Sequence, residues 1–334
     1  MRSIASLPRG LTLATALLAA QSALALEVPG PLVDTAWVEE NQNEIVILDA
    51  RKDIQSFIRK SSAGEVGGVQ ACGASGSGGG VSGHIPGAAL VDWKDYAVKE
   101  KVGGIELLDM IPSKADFEKL MQQSGVNQDS AVVIAHSGAD INEVAFATRL
   151  YWTLKYYGHD NLALLDGGVT KWAAEKRKIE YGRTKPSQGD WQATAERREL
   201  LATLDDVNGI IQDGGAQIVD VRTADFYLGL TSKPEKVAQK GHIPGAKNFP
   251  YQVLVKSGDK GTTFYSAEDL RRVATELGID PTQPVTTHCN TGHLASSGWF
   301  VMHELLGNPD ARLYVGSMNE WAADPSRKAS TKAE

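Results

Sequence analysis

Cysteine is scarce in this chain, which has only Cys72 and Cys289 among its 334 residues. Two thiols are too few for a disulfide scaffold, so we expect any important thiol to act chemically. Blocks of Lys and Arg are also missing, and the formal net charge is -7, which argues against nucleic acid as a partner. Metal-ligand spacings and dinucleotide-binding loops are not found either, so the sequence predicts no cofactor and no metal site.

Long apolar runs are missing too, since none reaches the length of about 18 residues that a membrane-spanning helix needs. The start of the chain nevertheless has two arginines, then the apolar stretch 11–20, then Ala-Leu-Ala at 23–25. This order predicts a signal peptide over residues 1–25, cleaved after Ala25, and a periplasmic or secreted protein. A buried or membrane-anchoring first helix is the alternative. After cleavage we expect no membrane contact.

The two halves of the chain repeat one plan. The hexapeptide Gly-His-Ile-Pro-Gly-Ala occupies residues 83–88 and again residues 241–246, and an Asp-x-Arg follows an apolar run in each half. Internal repetition of this kind predicts two domains of the same fold. The predicted organisation is a first domain (28–180), a linker (181–199), a second domain (200–325) and a polar tail (326–334).

Short apolar stretches typical of buried strands alternate with amphipathic stretches typical of helices. Strands are predicted at 44–49, 131–135, 162–165, 217–221, 285–288 and 313–315, and helices at 114–123, 142–156, 267–277 and 295–306. The alternation predicts an α/β fold, with a mainly parallel sheet in each domain and helices on both faces of each sheet. Ligands of such sheets bind at the carboxyl ends of the strands, where Cys289 lies.

Cys289 ends a β-branched run and precedes a polar loop and an amphipathic helix. The predicted loop consists of Asn290, Thr291, Gly292, His293, Leu294 and Ala295. If this loop curls around the sulfur, its N–H groups and the positive end of the helix stabilise a thiolate, and equally a persulfide anion. Gly292 is expected to have a backbone geometry that other residues resist. A buried structural thiol is the alternative interpretation of Cys289.

In the first half, Ser137 is predicted to stand where the second half has Cys289, because His136 and His288 precede them in similar runs. A serine hydroxyl is too weak an acid to ionise without an adjacent base. The first domain is therefore predicted to be catalytically silent. The match between the two histidines favours a structural role for His288.

Together these motifs resemble the two-domain, tandem rhodanese-type sulfurtransferases in an exported bacterial form. The resemblance rests on the Asp-x-Arg and Gly-His-Ile-Pro-Gly-Ala motifs, on Cys-x5-Ala in the second half only, and on Gly-x4-Trp near each domain end. It implies two rhodanese-like domains in which Cys289 takes a sulfane sulfur from a small-molecule donor. The resulting persulfide would pass that sulfur to a thiophilic acceptor such as cyanide or a thiol, and a protein acceptor is compatible with the same chemistry.

Other polar residues near the predicted site have more than one interpretation. His293 is suited to binding an anionic donor or to protonating a leaving group, and a solvent-facing loop residue is the alternative. Asp220 and Arg222 are candidate supporting residues. Since Asp49 and Arg51 occupy the same places in the silent half, a structural ion pair is favoured for both pairs.

The remaining histidine and aromatic motifs favour structural roles, because they occur in both halves or at helical spacing. They are His84 and His242 in the repeated turn, Trp172 and Trp321 near the domain ends, and the cluster Tyr151, Trp152, Tyr156 and Tyr157.

The resemblance also limits the choice of sulfur donor. The loop after Cys289 has neither the basic residues typical of thiosulfate-using relatives nor the Gly-Ser/Thr-Gly-Val-Thr typical of mercaptopyruvate-using relatives. Phe226 stands where many relatives place an arginine that would bind a carboxylate. We therefore expect thiosulfate or another inorganic donor, with 3-mercaptopyruvate as the alternative. A carrier or redox module that acts with a protein partner is the second alternative, whereas a cysteine phosphatase is not expected because Ala295 occupies the place of its arginine.

Residues 61–82 form a glycine-rich insertion of the first half and contain Cys72. A flexible surface loop with an incidental thiol is the simplest interpretation. A contact of Cys72 with Cys289 or its persulfide is the alternative.

Overall fold

The computed structural model describes residues 26–60 and 81–333. The predicted signal peptide and Cys72 lie outside the described residues. Within the described ranges, no helix has both the length and the apolar character to cross a membrane.

Over its described residues, the first half contains five sheet strands and five helices, with one additional hairpin. The strands are β1 Leu32–Val33, β2 Ile45–Arg51, β3 Ala89–Asp92, β6 Ala131–Ala135 and β7 Leu162–Leu165, and the hairpin is β4 Val98–Val102 with β5 Ile105–Met110. The helices are α1 Thr35–Glu40, α2 Ile54–Ile58, α3 Lys114–Gln123, α4 Ile141–Tyr156 and α5 Gly168–Ala174. The five strands form a parallel sheet in the order β1-β7-β6-β2-β3.

The second half repeats this design. Its strands are β8 Leu201–Ala202, β9 Gln217–Asp220, β10 Lys247–Asn248, β13 Val285–His288 and β14 Ala311–Tyr314, and its hairpin is β11 Val255–Gly258 with β12 Gly261–Phe264. Its helices are α6 Leu204–Asp213, α7 Ala224–Tyr227, α8 Ala267–Glu276, α9 His293–Phe300 with the π-helical turn Val301–Leu305, and α10 Ser317–Trp321. The parallel sheet has the order β8-β14-β13-β9-β10. This is the order β1-β7-β6-β2-β3 of the first sheet with each strand replaced by its repeat.

Both faces of the first sheet are buried, which explains the continuous apolar strands. Along β6, Val132 and Ile134 belong to one apolar cluster, whereas Val133 and Ala135 belong to another on the opposite face. Side chains alternate between faces along a strand, so a sheet covered on both sides needs apolar residues at every position. The predicted α/β fold with parallel sheets is confirmed.

Helices α4 and α9 pack together and join the two halves into one apolar core. Thr148 Oγ1 lies 3.1 Å from Ser297 Oγ, and the rings of Tyr151 and Phe300 are 5.0 Å apart. Thr148 Oγ1 also lies 2.8 Å from Ser296 Oγ. Because α4 and α9 are the equivalent helices after β6 and β13 and pack against each other, the repeats are related by an approximate twofold axis through this helix contact.

Strand pairing corrects one predicted equivalence. Asp49 of β2 pairs with Ala135, and Asp220 of β9 pairs with His288, so Ala135 and His288 are equivalent. His136 therefore occupies the position of Cys289, and Ser137 occupies the position of Asn290. Hydrogen bonds agree with this equivalence. The carbonyl of His136 accepts from Val169 N at 2.8 Å, and the carbonyl of Cys289 accepts from Met318 N at 3.1 Å. Val169 and Met318 are the second residues of the equivalent helices α5 and α10. The predicted placement of Ser137 at the cysteine position is wrong because the two histidines were matched.

Most long elements begin and end close to the predicted positions. Helix α8, predicted at 267–277, begins where Ser266 Oγ accepts a hydrogen bond of 3.1 Å from Asp269 N. Gly278 and Gly307 have φ values of +75° and +73°, typical of helix C-terminal glycines. The two hairpins were not predicted, because their short and largely polar strands lack a clear apolar period.

The linker and the tail are both docked to the domains. Trp191 of the predicted linker is fully buried, and its Nε1 lies 3.2 Å from His159 Nδ1. In the predicted tail, Ser330 N donates to the carbonyl of His242 and Ser330 O accepts from its N–H, both at 2.8 Å. The equivalent turn of the first half makes the same exchange between His84 and Glu180, at 2.9 Å.

Replacing Trp191 by alanine should destabilise the first domain by about 3–5 kcal/mol, because a large buried ring leaves a cavity. Tyr181→Ala is the matched control, since this linker aromatic is 42% exposed. Its effect should stay within about 1 kcal/mol. Urea unfolding followed by fluorescence and circular dichroism measures both, and equal effects of the two substitutions would contradict the buried anchor.

Candidate active site

Cys289 follows β13 directly and lies at the carboxyl edge of the second sheet, with 2% of its surface exposed. Its backbone is held on both sides by the start of α10. The N–H of Cys289 donates to Ser317 Oγ at 3.1 Å, and its carbonyl accepts from Met318 N at 3.1 Å. Ser317 is buried and has a left-handed backbone with φ of +50°, which is costly for a residue with a side chain. The position of the sulfur therefore depends on a strained turn in α10.

Gly292 closes the loop around the sulfur. Its φ is +83°, and its N–H donates to Cys289 Sγ at 3.2 Å. A Cβ at this position would lie 2.6 Å from Val315 O and 2.9 Å from Arg149 Nη1, so both conformation and space demand glycine. Gly292 has the special backbone that the sequence predicted. Since α9 begins at the next residue, its unpaired N–H groups and partial positive charge lie beside the sulfur.

The other loop residues fix the shape of the loop. Asn290 Oδ1 accepts from Arg222 Nη1 at 3.2 Å, and the Asn290 carbonyl accepts from Asn319 N at 2.9 Å. The Ala295 carbonyl accepts from Thr287 Oγ1 at 3.1 Å. Thr291 is 5% exposed and Leu294 packs against the core. The hydrogen bond to Sγ comes from Gly292, whereas convergence of all the predicted loop amides on the sulfur is not observed.

Asp220 and Arg222 form a buried ion pair behind the loop. Arg222 Nη2 lies 2.6 Å from Asp220 Oδ2 and also donates to the Gly241 carbonyl at 2.8 Å. Burial raises the pKa of Asp220, but His288 and Arg222 outweigh it and hold that pKa below its usual range. The pair Asp49–Arg51 occupies the same place in the first half. The geometry agrees with the predicted structural ion pair, and the Arg222 contact with Asn290 links that pair to the loop.

His288 is fully buried beneath Cys289. Its Nδ1 lies 3.4 Å from the Cys289 carbonyl, and its Nε2 lies 3.8 Å from Asp220 Oδ2. Burial lowers the pKa of His288 to about 4, although Asp220 opposes that shift. A neutral imidazole in this place supports the strand end. The predicted structural role therefore suits its surroundings, although His136 is not its equivalent.

His293 packs between aromatic residues of the first half. Its ring lies edge-on to Trp93 at 5.4 Å and to Phe146 at 5.1 Å. Both ring nitrogens are buried and have no hydrogen-bond partner among the described residues. Burial lowers the pKa of His293 to about 4; Asp109 opposes the shift, and Arg149 adds to it. An imidazolium that binds an anion at neutral pH, one of the roles considered for His293, is not supported.

The first half contributes to this site, which the sequence did not reveal. The first-half residues beside the loop are Trp93, Asp109, Phe146 and Arg149. Arg149 Nη2 donates to the Asp109 carbonyl at 2.8 Å, and the hairpin that carries Asp109 also contacts the second half through Leu108 N and Asn319 Oδ1 at 2.9 Å. One signal was available, because Arg149 is the single charged residue in the run 144–154.

The equivalent position in the first half holds no thiol. His136 is buried at the place of Cys289, and burial lowers its pKa to about 4. Ser137 lies near Glu143, a carboxyl whose pKa is raised by burial. The second hairpin covers this loop, since Thr262 N donates to the Gly138 carbonyl at 3.0 Å. The predicted silence of the first half therefore rests on a neutral histidine in place of a nucleophile.

The repeated turn and the aromatic motifs are structural, as the sequence indicated. His84 stacks on Phe57 at 3.8 Å and His242 stacks on Tyr227 at 3.7 Å, with both histidines buried. The other buried members of this set are Trp172, Trp321, Tyr151, Trp152, Tyr156 and Tyr157. Within residues 26–60 and 81–333, no group of three His, Cys, Asp or Glu side chains is placed to hold a metal ion.

Gly292→Ala should open the loop, because a Cβ there meets the Val315 carbonyl. We expect the rate of Cys289 alkylation by iodoacetamide at pH 7.5 to fall by about tenfold or more, because the thiolate loses its amide partner. Gly278→Ala is the matched control, since Gly278 has φ of +75° with open space around it. Gly278→Ala therefore introduces the same backbone strain at a position that does not contact the site. Identical alkylation rates in all three proteins would contradict the assigned role of Gly292.

Comparison with known proteins identifies the fold. The rhodanese-like domain family matches residues 34–175 and 203–324. The Thermus thermophilus "Sulfur carrier protein TtuD" is 31% identical over 307 residues, covering 88% of this chain and 94% of that protein. A Saccharopolyspora erythraea protein named "Putative thiosulfate sulfurtransferase" is 30% identical over 303 residues, covering 87% and 93%.

Solved structures agree with this result. SseA from Escherichia coli, described among the 3-mercaptopyruvate sulfotransferases, superposes with a TM-score of 0.68 at 26% identity, covering 86% of this chain and 98% of SseA. Tum1 from Saccharomyces cerevisiae shares the fold with a TM-score of 0.70 at 19% identity, covering 91% and 99%. With one such domain in each half, the chain belongs to the rhodanese-like family of sulfurtransferases.

Proposed function

We propose that the protein moves a sulfane sulfur from thiosulfate, or a related inorganic donor, to a thiophilic acceptor through a persulfide on Cys289. The observation that carries this proposal is the hydrogen bond from Gly292 N–H to Cys289 Sγ at 3.2 Å, at the start of α9. An amide and a helix N-terminus stabilise an anionic sulfur. The same contacts suit the thiolate before transfer and the terminal sulfur of the persulfide after it.

The chemistry consists of two displacements at sulfur. The Cys289 thiolate attacks the outer sulfur of thiosulfate, the sulfur–sulfur bond of the donor breaks, and sulfite leaves with the bonding electron pair. Cyanide or a thiolate then attacks the outer sulfur of the persulfide. Thiocyanate or a new persulfide leaves, and the Cys289 thiolate is regenerated. Charge and electrons balance in both steps, so no external oxidant or reductant is needed.

The choice of an inorganic donor rests on the surroundings of the ion pair between Asp220 and Arg222. Arg222 directs Nε and Nη2 to Asp220 and Nη1 to Asn290, so it is already engaged. Phe226, at the place where many relatives have an arginine, lies under the Arg222 and Lys233 cations at 5.9 and 5.6 Å. Arg222 is therefore not free to bind a mercaptopyruvate carboxylate. The Saccharopolyspora relative, named for thiosulfate, supports the same choice.

A sulfur-carrier function is the second candidate, because TtuD is named a sulfur carrier and is 31% identical. A carrier holds the persulfide until a protein partner takes the sulfur. Sustained thiocyanate formation from thiosulfate and cyanide alone would favour the transferase. One round of loading without turnover would favour the carrier.

Export is part of the same proposal. Residues 1–25 have the order of a cleavable signal peptide, with cleavage after Ala25. Mass spectrometry of the protein from the cell envelope should then show a chain that begins at Leu26. A chain in the cytoplasm that retains Met1 would overturn the proposed location.

Incubation with thiosulfate should add about 32 Da to the peptide that contains Cys289, and cyanide should remove it as thiocyanate. Cys289→Ser should abolish both events, whereas Ser137→Ala should leave turnover within about twofold, because Ser137 belongs to the silent loop. Intact-mass and peptide mass spectrometry measure loading. Normal turnover by Cys289→Ser would contradict the persulfide mechanism.

The pH dependence tests whether His293 takes part through its charge. Because burial lowers its pKa to about 4, the ring stays neutral from pH 5.5 upward. The second-order rate of sulfur loading by His293→Asn should therefore differ from wild type by one constant factor between about pH 5.5 and 9. A loss confined to the acidic side of that range would contradict a neutral ring and restore the imidazolium hypothesis.

A further inference from the structure

We infer that Arg149, which belongs to α4 of the silent half, is the anion-binding residue of the Cys289 site and contacts the charged oxygens of the sulfur donor. The identity of that donor rests on the function proposed above. The binding of an anion beside Cys289 does not, and it can be tested separately.

Arg149 is fully buried, yet most of its hydrogen-bonding capacity is unused. Nη2 donates to the Asp109 carbonyl at 2.8 Å. Nε and Nη1 are buried and have no hydrogen-bond partner among the described residues. A guanidinium without partners is costly in a protein interior. An anionic ligand would satisfy these donors.

The open side of the guanidinium faces the nucleophile loop. Arg149 Nη1 lies 2.9 Å from the place that a Cβ on Gly292 would occupy, and Gly292 N–H is the donor to Cys289 Sγ. Burial lowers the pKa of Arg149 to about 10, with Asp109 and Cys289 opposing the shift, so the group stays charged at neutral pH. The cation, the loop amide and the sulfur thus lie together, although they come from different halves of the chain.

The repeat itself shows that this cation belongs to one site only. Thr148, which precedes Arg149 in α4, contacts both Ser296 at 2.8 Å and Ser297 at 3.1 Å in α9, so the equivalent of Arg149 is Ser297 or Gly298. Neither is charged, and α9 contains no lysine or arginine. The approximate twofold axis therefore brings a guanidinium to Cys289 and brings none from the equivalent position to His136. The thiol and the cation are present or absent together.

Charge gives the physical reason for such a residue. A thiolate and thiosulfate together carry three negative charges, and at 2% exposure of Cys289 little water is available to screen them. Arg222 is paired with Asp220, and Lys236 is solvent-exposed. A guanidinium with free N–H groups matches the oxygens of a sulfonate or a carboxylate through paired hydrogen bonds. The ligand class is therefore a small oxyanion that carries its reactive atom at one end.

The test compares two alkylating agents of similar shape at Cys289. Iodoacetate carries a carboxylate and iodoacetamide a neutral amide, and in both reactions the thiolate displaces iodide to form a sulfur–carbon bond. A change in the thiolate fraction or in the order of the loop affects both rates equally, so it does not change their ratio. Arg149→Met should lower the iodoacetate to iodoacetamide ratio by about ten- to a hundredfold, as expected for loss of a charge-assisted contact. Arg149→Lys should retain part of the ratio, because it keeps the charge without the planar fork.

Lys155→Met is the matched control, since it removes another partly buried cation from the same helix, one that pairs with Glu304 at 3.1 Å. Its ratio should equal that of the wild type. Arg149→Met is expected to fold, because it removes a buried charge that lacks partners, and thermal unfolding checks this. Should Arg149→Met fail to fold, the comparison of Arg149→Lys with wild type decides. An unchanged ratio in the folded Arg149 variants would overturn the inference.

Thiosulfate loading separates this inference from the proposed function. If the ratio falls in Arg149→Met and wild type gains sulfur from thiosulfate, both stand, and loading by Arg149→Met should fall by a similar factor. If the ratio falls but wild type gains no sulfur from thiosulfate, the anion site stands and the donor is wrong. If wild type loads sulfur but the ratio does not change, the function stands and Arg149 has no part in anion binding.

Discussion

The packing of α4 against α9 is the contact on which the rest of the molecule depends. It joins the two sheets into one apolar core, and the equivalent helices of the two halves meet across it, where Thr148 contacts Ser296 and Ser297. A helix contact between repeats fixes which residues of each half can reach the other. Here it places Arg149 beside the loop of Cys289, whereas α9 has no lysine or arginine to place beside His136. The asymmetry of the two sites follows from this difference between the two helices.

The first half, predicted to be catalytically silent, also supplies residues to the surroundings of Cys289. Its first hairpin carries Asp109, whose carbonyl holds the guanidinium of Arg149, and its aromatic residues Trp93 and Phe146 enclose His293. The burial that these residues provide keeps His293 neutral at physiological pH. These first-half residues lie on a helix, a short 3-10 turn and a hairpin, and not in the loop that corresponds to the nucleophile loop.

Local patterns were enough to predict six strands of the two sheets, four of the helices, the repeat and the position of the nucleophile loop. Apolar runs gave β6 and β13, an amphipathic stretch gave α8, and Cys289 before a glycine loop indicated the carboxyl edge of the second sheet. Exact equivalence between the halves required strand pairing, because histidine occurs in both runs at positions that differ by one residue. The part of the site supplied by Arg149 could not be derived, since a charged residue in an apolar helix does not show which loop of another domain it faces.

The central claim is that the nucleophile and the anion-binding group come from different halves of the chain. A crystal structure of Cys289→Ser with bound thiosulfate tests it most directly, because serine leaves the donor unreacted. We predict a sulfonate oxygen within about 3.2 Å of Arg149 Nε or Nη1, with the outer sulfur directed at residue 289. Thiosulfate bound at residue 289 through contacts with second-half residues alone would contradict a site built across the domain interface.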